Sequence, residues 1–242
     1  MGFSQKFRDW ASMARLPNVP TVWSNVFTAW VLAGGGFESD GLDDFALQVV
    51  GASLLYVGGT IHNDVHDRDY DLIHRPERPI PAGRISAKTA GRVAGLFLLV
   101  GTFLLCFEMN IGATLLLLCI LLYVEFHKRY VLIGALLMGL CRFFLGFLSG
   151  PTVIGADYSH GIYFHAWWAT ALFVYVFALS LVAAGETKAW RRRVVVGMLA
   201  ALPLLDAGFL AAYFTDWTSV IPLIPLGCVV FSQLLRLVAS PT

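Results

Sequence analysis

Apolar runs long enough to cross a membrane constrain this chain more than any other sequence feature. Of its 242 residues, 57% are hydrophobic and 14% are charged, and the mean hydropathy is +0.70. A helix needs about 20 apolar residues to cross the hydrocarbon core of a bilayer. The composition therefore predicts an all-α membrane protein and excludes an ordinary soluble domain. We predict eight spans, at residues 19–37, 45–63, 89–107, 111–126, 131–150, 162–184, 194–214 and 218–238.

Basic residues are confined to alternate connections between these spans. Lys and Arg precede the first span, follow the second, fourth and sixth spans and recur at Arg236 near the end of the eighth, whereas the intervening loops contain acidic residues and no Lys or Arg. Because cytoplasmic loops carry an excess of Lys and Arg, both termini are predicted to lie inside the cell. The predicted architecture is a single domain of residues 1–242, a multi-pass bundle in the cell membrane.

The segment 3–16, ahead of the first span, places Phe3, Phe7, Trp10 and Met13 on one side. This pattern predicts an amphipathic helix lying on the membrane surface. The net charge of +1 and the lack of a basic–aromatic array give no indication of a nucleic-acid partner. The expected macromolecular environment is the lipid bilayer.

The most distinctive motif follows the second predicted span, where Asn63 begins a stretch of nine residues with four aspartates. If the helix continues at about 100° per residue, Asn63, Asp64, Asp67 and Asp71 lie near 0°, 100°, 40° and 80°, and Asp69 lies near 240°. One face then offers several hard oxygen ligands, which suits Mg²⁺ shared with a phosphate. The alternative is a solvated helix end whose carboxylates pair with nearby arginines.

A basic loop comes directly after this cluster. It includes Arg78 and Arg84, and three prolines restrict its backbone. The planar guanidinium of arginine can bind phosphate oxygens in pairs, so this loop could hold the remaining phosphate charge.

The pattern Asn-Asp-x-x-Asp-x-x-x-Asp, followed by Arg-Pro-x-Arg-Pro-Ile-Pro-x-Gly-Arg-Ile-Ser, runs from Asn63 to Ser86. It resembles the first signature of the UbiA superfamily of membrane prenyltransferases. The resemblance is strong from Arg15 to Gly150 and weak beyond. It implies a helical bundle around a central cavity that opens to the cytoplasmic side. It also implies Mg²⁺-dependent transfer of a prenyl group from a polyprenyl diphosphate to an acceptor that the sequence does not identify.

The resemblance also implies site residues. The metal ligands that it implies are Asn63, Asp64, Asp67, Asp71 and Glu186. The catalytic residues that it implies are Asp64, Asp67, Asp71 and Arg142. The substrate-binding residues that it implies are Arg15, Asn25, Arg78, Arg84, Tyr123, Lys128 and Lys188.

The chain departs from the family pattern near the end of its sixth span. Most members have a second motif there, Asp-x-x-x-Asp, whereas this chain has the single acid Glu186. With eight predicted spans instead of nine, the chain is similar to the EboC-like short branch of the superfamily. Two alternative functions therefore remain open. The protein could bind or translocate an isoprenoid without catalysis, or it could release diphosphate by cyclising the prenyl chain.

Three polar residues lie inside predicted spans, and each allows more than one interpretation. Arg142 lies about 16 Å into its span, where an arginine usually faces a polar cavity or a structural partner. Asn25 fits either the cavity or a helix–helix hydrogen bond. Asp206 is a site candidate without an assigned role, and nearby Pro203 and Gly208 predict a kink where a polar group is solvated.

The helical phase leads to a prediction about two neighbouring aspartates. Asp67→Asn keeps the shape of the side chain but removes its charge from the metal-binding face, so activity should fall by orders of magnitude at normal expression. Asp69→Asn should remove at most a surface ion pair, roughly 0–1 kcal/mol of stability. Turnover and expression of the two variants check this, and comparable activity in both would contradict the predicted phase.

Overall fold

A computed structural model describes residues 3–35, 39–106, 111–148, 158–184, 189–214 and 220–239. Within these ranges the secondary structure is helical throughout, with no β-strand, which confirms the predicted fold class. The helices are α1 Phe3–Met13, α2 Val19–Leu32, α3 Ser39–His66, α4 Arg68–His74, α5 Ala87–Cys106, α6 Ile111–Phe126, α7 Val131–Gly146, α8 Tyr158–Ala184, α9 Ala189–Tyr213 and α10 Ile224–Ala239. Short 3₁₀ turns, Leu16–Asn18 and Ile221–Leu223, precede α2 and α10.

Each of the eight predicted apolar runs overlaps one of these helices. Among the described residues, four helices are long and apolar enough to cross a membrane, within Gly41–His66, Ala87–Cys106, Tyr163–Ala184 and Trp190–Tyr213. The other runs form shorter helices: α2 has 14 residues, and α6 and α7 have 16 each. The first of them stops at Leu32 because Ala33, Gly34 and Gly35 turn the chain, and Gly34 has a positive φ of 88°.

The short helix α2 forms the centre of the bundle. All its residues except Trp23 are buried, and it packs against α3, α7, α8, α9 and α10. On one side its apolar residues join a core with Trp168 and Leu172 of α8. On the other side, Val22 and Val26 join a core with α3, α5, α6 and α7. A helix apolar all round must be buried, so the polar residues on α2 must find partners inside the protein.

Small residues let α3 and α5 approach each other closely. A Cβ atom on Gly101 would lie 2.8 Å from the carbonyl oxygen of Gly51 and 3.0 Å from the nitrogen of Leu55. These contacts are with backbone atoms, which cannot rotate away as a side chain can. Close contact between small residues of this kind is typical of helix pairs in membranes. The pair fixes the helix that carries the acidic motif.

The amphipathic helix α1 ends at Met13, three residues earlier than predicted. Its Asp9 and Met13 are buried, whereas Phe7 is half exposed. Met13 packs with Ile61 of α3 and with Ile85 of the basic loop. The structure therefore attaches α1 to the end of the bundle where the acidic motif lies.

The α3–α5 contact leads to a prediction about two glycines of α5. Gly101→Ala should reduce the free energy of unfolding by about 1–3 kcal/mol, because the added methyl group overlaps the α3 backbone. Gly95→Ala is the matched control, since a Cβ there meets nothing within 4 Å, and it should be neutral or slightly stabilising. Unfolding midpoints in detergent measure both. Equal midpoints for the two variants would contradict the close contact.

Candidate functional site at the cavity mouth

The acidic motif keeps its helical phase although the helix is interrupted. Helix α3 ends at His66 and α4 begins at Arg68, with Asp67 at φ −80° and ψ −1° between them. The bonds from Asp67 N to Asn63 O and from Asp71 N to Asp67 O, 2.9 and 2.8 Å, continue the helical pattern across the break. Asp67 is buried and Asp71 is 1% exposed.

The phase predicted for the remaining members of the motif is also confirmed. Asn63 and Asp64 are buried alongside Asp67 and Asp71, whereas the side chain of Asp69 is 86% exposed and pairs with Arg68. The four residues predicted to share a face therefore face the protein interior together.

Arg78 connects two of the buried carboxylates. Its Nη1 lies 2.7 Å from Asp71 Oδ2 and 3.2 Å from Asp64 Oδ1. The loop bonds from Arg84 N and Ile85 N to Pro79 O fold the basic segment back on itself and hold Arg78 above the motif. One guanidinium thus neutralises part of the charge of two carboxylates, a charge-assisted arrangement.

Asp67 has a separate set of partners, two of which come from the turn between α6 and α7. Lys128 Nζ lies 2.9 Å from its Oδ1, His127 Nε2 lies 3.5 Å from its Oδ2, and Asn63 Nδ2 donates to Oδ2 at 3.1 Å. Burial alone would raise the pKa of the Asp67 carboxyl. The hydrogen bonds and positive charge of His127 and Lys128 outweigh burial and lower this pKa to about 2. Asp67 is therefore ionised throughout the physiological pH range.

The motif has oxygen atoms suited to a cation. Asn63 Oδ1 and Asp71 Oδ1 are buried and accept no hydrogen bond within the described residues. Asp67 Oδ1 is also buried, and its partner is Lys128. Among the described residues, no three His, Cys, Asp or Glu side chains lie close enough together to hold a metal ion by themselves. Mg²⁺ commonly uses one or two carboxylates and completes its octahedron with water and phosphate oxygens. The donor set fits that type of site and not a cage made entirely of protein ligands.

A cavity of about 100 Å³ extends from Asn63 of this motif between the helices. Its wall is mostly apolar, with side chains from α2, α3, α6 and α7 such as Val22, Leu55 and Leu116. Its polar and aromatic lining residues are Arg15, Tyr56, Thr60, Asn63, Tyr123 and Arg142. An apolar cavity with a few polar groups near a charged mouth suits an amphiphile with a charged head and a hydrocarbon tail.

Arg15 reaches the cavity from an unusual backbone conformation. Its φ and ψ are 46° and 45°, the left-handed region that non-glycine residues rarely occupy. This turn at the end of α1 directs its Nη2 to a position 3.9 Å from Asp64 Oδ1. Unfavourable backbone conformations of this kind concentrate at binding sites.

Arg142 lies in the cavity wall and donates to two residues of α2. Its Nη1 lies 2.6 Å from Asn25 Oδ1, and its Nη2 lies 3.0 Å from Thr21 Oγ1. Asn25 in turn donates to Asp206 Oδ2 at 2.8 Å. Arg142 therefore lies in the cavity wall, as one interpretation predicted, and Asn25 makes hydrogen bonds between helices, as its second interpretation predicted.

Asp206 differs from its sequence-based interpretation. The prediction that Pro203 and Gly208 create a solvated kink is wrong, because Asp206 is 0% exposed. Its carboxylate accepts hydrogen bonds from Ser24, Asn25 and Trp168, and the Trp168 Nε1 bond measures 2.9 Å. Protein donors replace water at this position.

The other predicted residues are placed as follows. Arg84 bonds to Asp9 through Nε at 3.0 Å and to the carbonyl of Glu77, so its described contacts attach the basic loop to α1 and do not reach the acidic motif. Tyr123 lines the cavity, and its ring stacks on His127. Glu186 and Lys188 lie outside the described residues.

Sequence reasoning named three residues that the structure brings into these networks neither as site residues nor as their partners. They are His127, which faces Asp67, and Thr21 and Trp168, which bond to Arg142 and Asp206. The sequence signal for His127 was its place directly before Lys128. The other two gave no signal, because Thr and Trp are ordinary residues of membrane helices.

The position of Arg78 predicts competition with a divalent cation. Arg78→Gln leaves Asp64 and Asp71 without their shared cation and should reduce the free energy of unfolding by about 1–3 kcal/mol. Millimolar Mg²⁺ should restore part of this loss and should stabilise the variant more than the native protein. The exposed Arg75, in the same loop, provides the control Arg75→Gln. An identical response to Mg²⁺ in both variants would contradict competition at these carboxylates.

Known proteins share this sequence pattern. The profile of the UbiA prenyltransferase family matches residues 19–202. The digeranylgeranylglyceryl phosphate synthase of Metallosphaera sedula is 27% identical over 171 residues, which are 69% of this chain and 58% of that protein. The 4-hydroxybenzoate octaprenyltransferase of Vibrio parahaemolyticus is 36% identical over 128 residues, which are 50% of this chain and 42% of that protein. This chain spans about half the length of the curated relatives that it matches.

The fold is shared as well. A solved structure of a digeranylgeranylglyceryl phosphate synthase in membranes superposes with a TM-score of 0.60 at 18% sequence identity, covering 96% of this chain and 87% of that one. The residues that the family profile matches include the acidic motif, the basic loop and all the cavity-lining residues except Arg15. The part of the chain that the structure describes has four helices long enough to span a bilayer, and the chain is an integral membrane protein of the UbiA prenyltransferase family.

Proposed function

We propose that this protein is a Mg²⁺-dependent prenyltransferase that moves a prenyl group from a polyprenyl diphosphate to a small or lipid acceptor. The observation that carries the proposal is the buried group Asn63, Asp64, Asp67 and Asp71 at the mouth of an apolar cavity. A carrier of neutral isoprenoids would need the cavity but not three buried carboxylates. The related enzymes named above act on different acceptors, so the acceptor of this protein remains open.

In this proposal the motif holds Mg²⁺ by one or two carboxylates together with Asn63 Oδ1, the remaining ligands being water and diphosphate oxygens. Bound there, the ion would neutralise the charge that develops on the leaving diphosphate. Arg15, Arg78 and Lys128 surround the same position and would add positive charge to the diphosphate oxygens. Each now pairs with a motif carboxylate, so binding exchanges one anionic partner for another.

The prenyl tail would lie in the cavity. Breaking the bond between C1 and the diphosphate oxygen sends the electron pair away with the diphosphate and leaves an allylic cation. Tyr56 and Tyr123 line the same cavity as Arg15 and Asn63, and their ring faces can stabilise that cation. The acceptor would attack C1 and then lose its proton, which completes the transfer.

The proposal extends to the membrane topology. Eight spans with both termini inside would place the motif and the basic loop at the cytoplasmic surface, in one domain of residues 1–242. The asymmetry of Lys and Arg supports this orientation. The contacts of Arg15 and Lys128 with Asp64 and Asp67 add support, because they gather α1, α3 and the turn after α6 at one end of the bundle.

Turnover of purified protein in detergent tests the proposal. Labelled farnesyl, geranylgeranyl and octaprenyl diphosphates would be incubated with Mg²⁺ and a lipid extract as the source of acceptors. We expect a prenylated product that depends on Mg²⁺ and falls at least 100-fold in Asp64→Asn, because carboxylate ligands act only when charged. Glu77→Gln, an exposed acid in the neighbouring loop, is the control and should retain activity.

The three candidate functions give different results in this assay. A prenylated acceptor supports the transferase. Release of diphosphate without any acceptor would contradict it and indicate cyclisation of the prenyl chain. Tight binding of the diphosphates with neither release nor transfer would also contradict it and indicate a carrier.

A further inference from the structure

Asp206 is a buried ionisable group that the proposed mechanism does not use. It lies on α9, it is 0% exposed, and its side chain is not part of the cavity wall. Three donors from two other helices converge on its carboxylate, namely Ser24, Asn25 and Trp168. A group so fully bonded at this depth in a membrane protein requires an explanation beyond packing.

The bonds leave Asn25 only one orientation. A guanidinium can only donate, so Asn25 must present its carbonyl oxygen to Arg142 Nη1, at 2.6 Å. The amide nitrogen then faces Asp206 Oδ2 at 2.8 Å, where a carboxylate accepts. Arg142, Asn25 and Asp206 thus form one polarised chain from the cavity wall to α9, with a positive group at one end and a negative group at the other.

The second bond of Arg142 is fixed in the same manner. The hydroxyl of Thr21 donates to the carbonyl of Asn18 at 2.7 Å, so its lone pair faces Arg142 Nη2 at 3.0 Å. Within the described residues these are the two hydrogen bonds of the guanidinium. Because arginine has five N–H groups, the others remain available to a ligand in the cavity.

We propose that Asp206 is a positioning residue: acting through Asn25, its carboxylate holds the Arg142 guanidinium in the cavity wall, where Arg142 binds the diphosphate of the substrate. The inference rests on the proposed function, since it names the residue that orients one of its substrate contacts. Asp206 touches no substrate. It supplies the buried negative charge without which Arg142 would be an isolated cation inside the bundle.

The effect of Asp206→Asn follows from the donors around it. Asn25 and Trp168 donate to different oxygens of the Asp206 carboxylate. Asp206→Asn replaces one of these oxygens by an NH₂ group, which cannot accept, so one of the two hydrogen bonds is lost. If Asn25 rotates to compensate, its amide nitrogen faces Arg142, where two donors repel. We therefore expect the dissociation constant of farnesyl thio-diphosphate with Mg²⁺ to rise roughly tenfold or more in the folded variant.

A double-mutant cycle separates positioning from a general structural role. If Asp206 acts through Arg142, Arg142→Gln should weaken binding by itself, and adding Asp206→Asn should change it by no more than about twofold further. Lys128→Met, at the cavity mouth, provides a second pair. In the double variant, the fold-increase in the dissociation constant caused by Lys128→Met should multiply with that caused by Asp206→Asn. Lys128 contacts Asp67 and does not belong to this chain of bonds.

Trp168→Phe is the matched control at the same carboxylate. It removes the donor to Oδ1 and leaves the Asn25 bond to Oδ2. We expect a lower unfolding midpoint with binding within about threefold of the native protein. Two results would overturn the inference and make Asp206 a structural residue. One is an equal loss of binding in Trp168→Phe and Asp206→Asn. The other is a double variant of Asp206→Asn and Arg142→Gln whose dissociation constant rises by the full product of the two single effects.

Asn25→Ala keeps the test decisive if Asp206→Asn fails to fold. It removes the side chain that links Arg142 to Asp206. By itself it should weaken binding as Asp206→Asn does, and in combination with Arg142→Gln it should weaken binding little further. Full additivity in that pair would overturn the inference. Failure of the proposed function gives a different result. If the native protein binds no prenyl thio-diphosphate, both the proposed function and the inference are refuted. If the native protein and the variants bind it equally well, only the inference is refuted.

Discussion

A charge buried in an apolar bundle must be neutralised by a partner, and this constraint determines how the helices of this protein are arranged. Arg142 is balanced by Asp206 through Asn25, and this chain of bonds joins α7, α2 and α9. At the cavity mouth, Arg78 and Lys128 balance the carboxylates of the α3–α4 region. Removing one member of either group leaves an uncompensated charge, which is more destabilising than an apolar replacement of the whole group.

The two groups of charges both reach the wall of the cavity, through Asn63 and Arg142, and they have different contacts. The carboxylates at the mouth have partly exposed cationic partners and buried oxygens that accept no hydrogen bond within the described residues. In the chain of bonds around α2, Asn25 and Asp206 are 0% exposed, and both oxygens of the Asp206 carboxylate accept hydrogen bonds. A site that must exchange ions needs the first arrangement, and a support that holds one geometry needs the second.

The sequence predicted the helical fold and the facing of the acidic motif because both depend on local periodicity. Helical phase placed Asp67 inward and Asp69 outward, and neither the interruption at Asp67 nor the loop that follows changes that phase. The partners of these residues could not be predicted in the same way. Whether Arg84 would meet the motif or Asp9 depends on how α1 returns to the bundle, and the partners of Asp206 are more than 30 residues away along the chain. Such contacts depend on tertiary packing, about which a single sequence has no direct information.

The central claim is that the buried carboxylates at the cavity mouth hold a divalent cation together with a prenyl diphosphate. The most direct measurement is a structure of the protein with a prenyl thio-diphosphate and Mn²⁺, in which anomalous scattering locates the metal. The account predicts Mn²⁺ bound by at least one of Asp64, Asp67 and Asp71 and by diphosphate oxygens, with the prenyl tail in the cavity beside Tyr56 and Tyr123. A diphosphate bound away from these carboxylates, or a metal with no ligand among them, would contradict it.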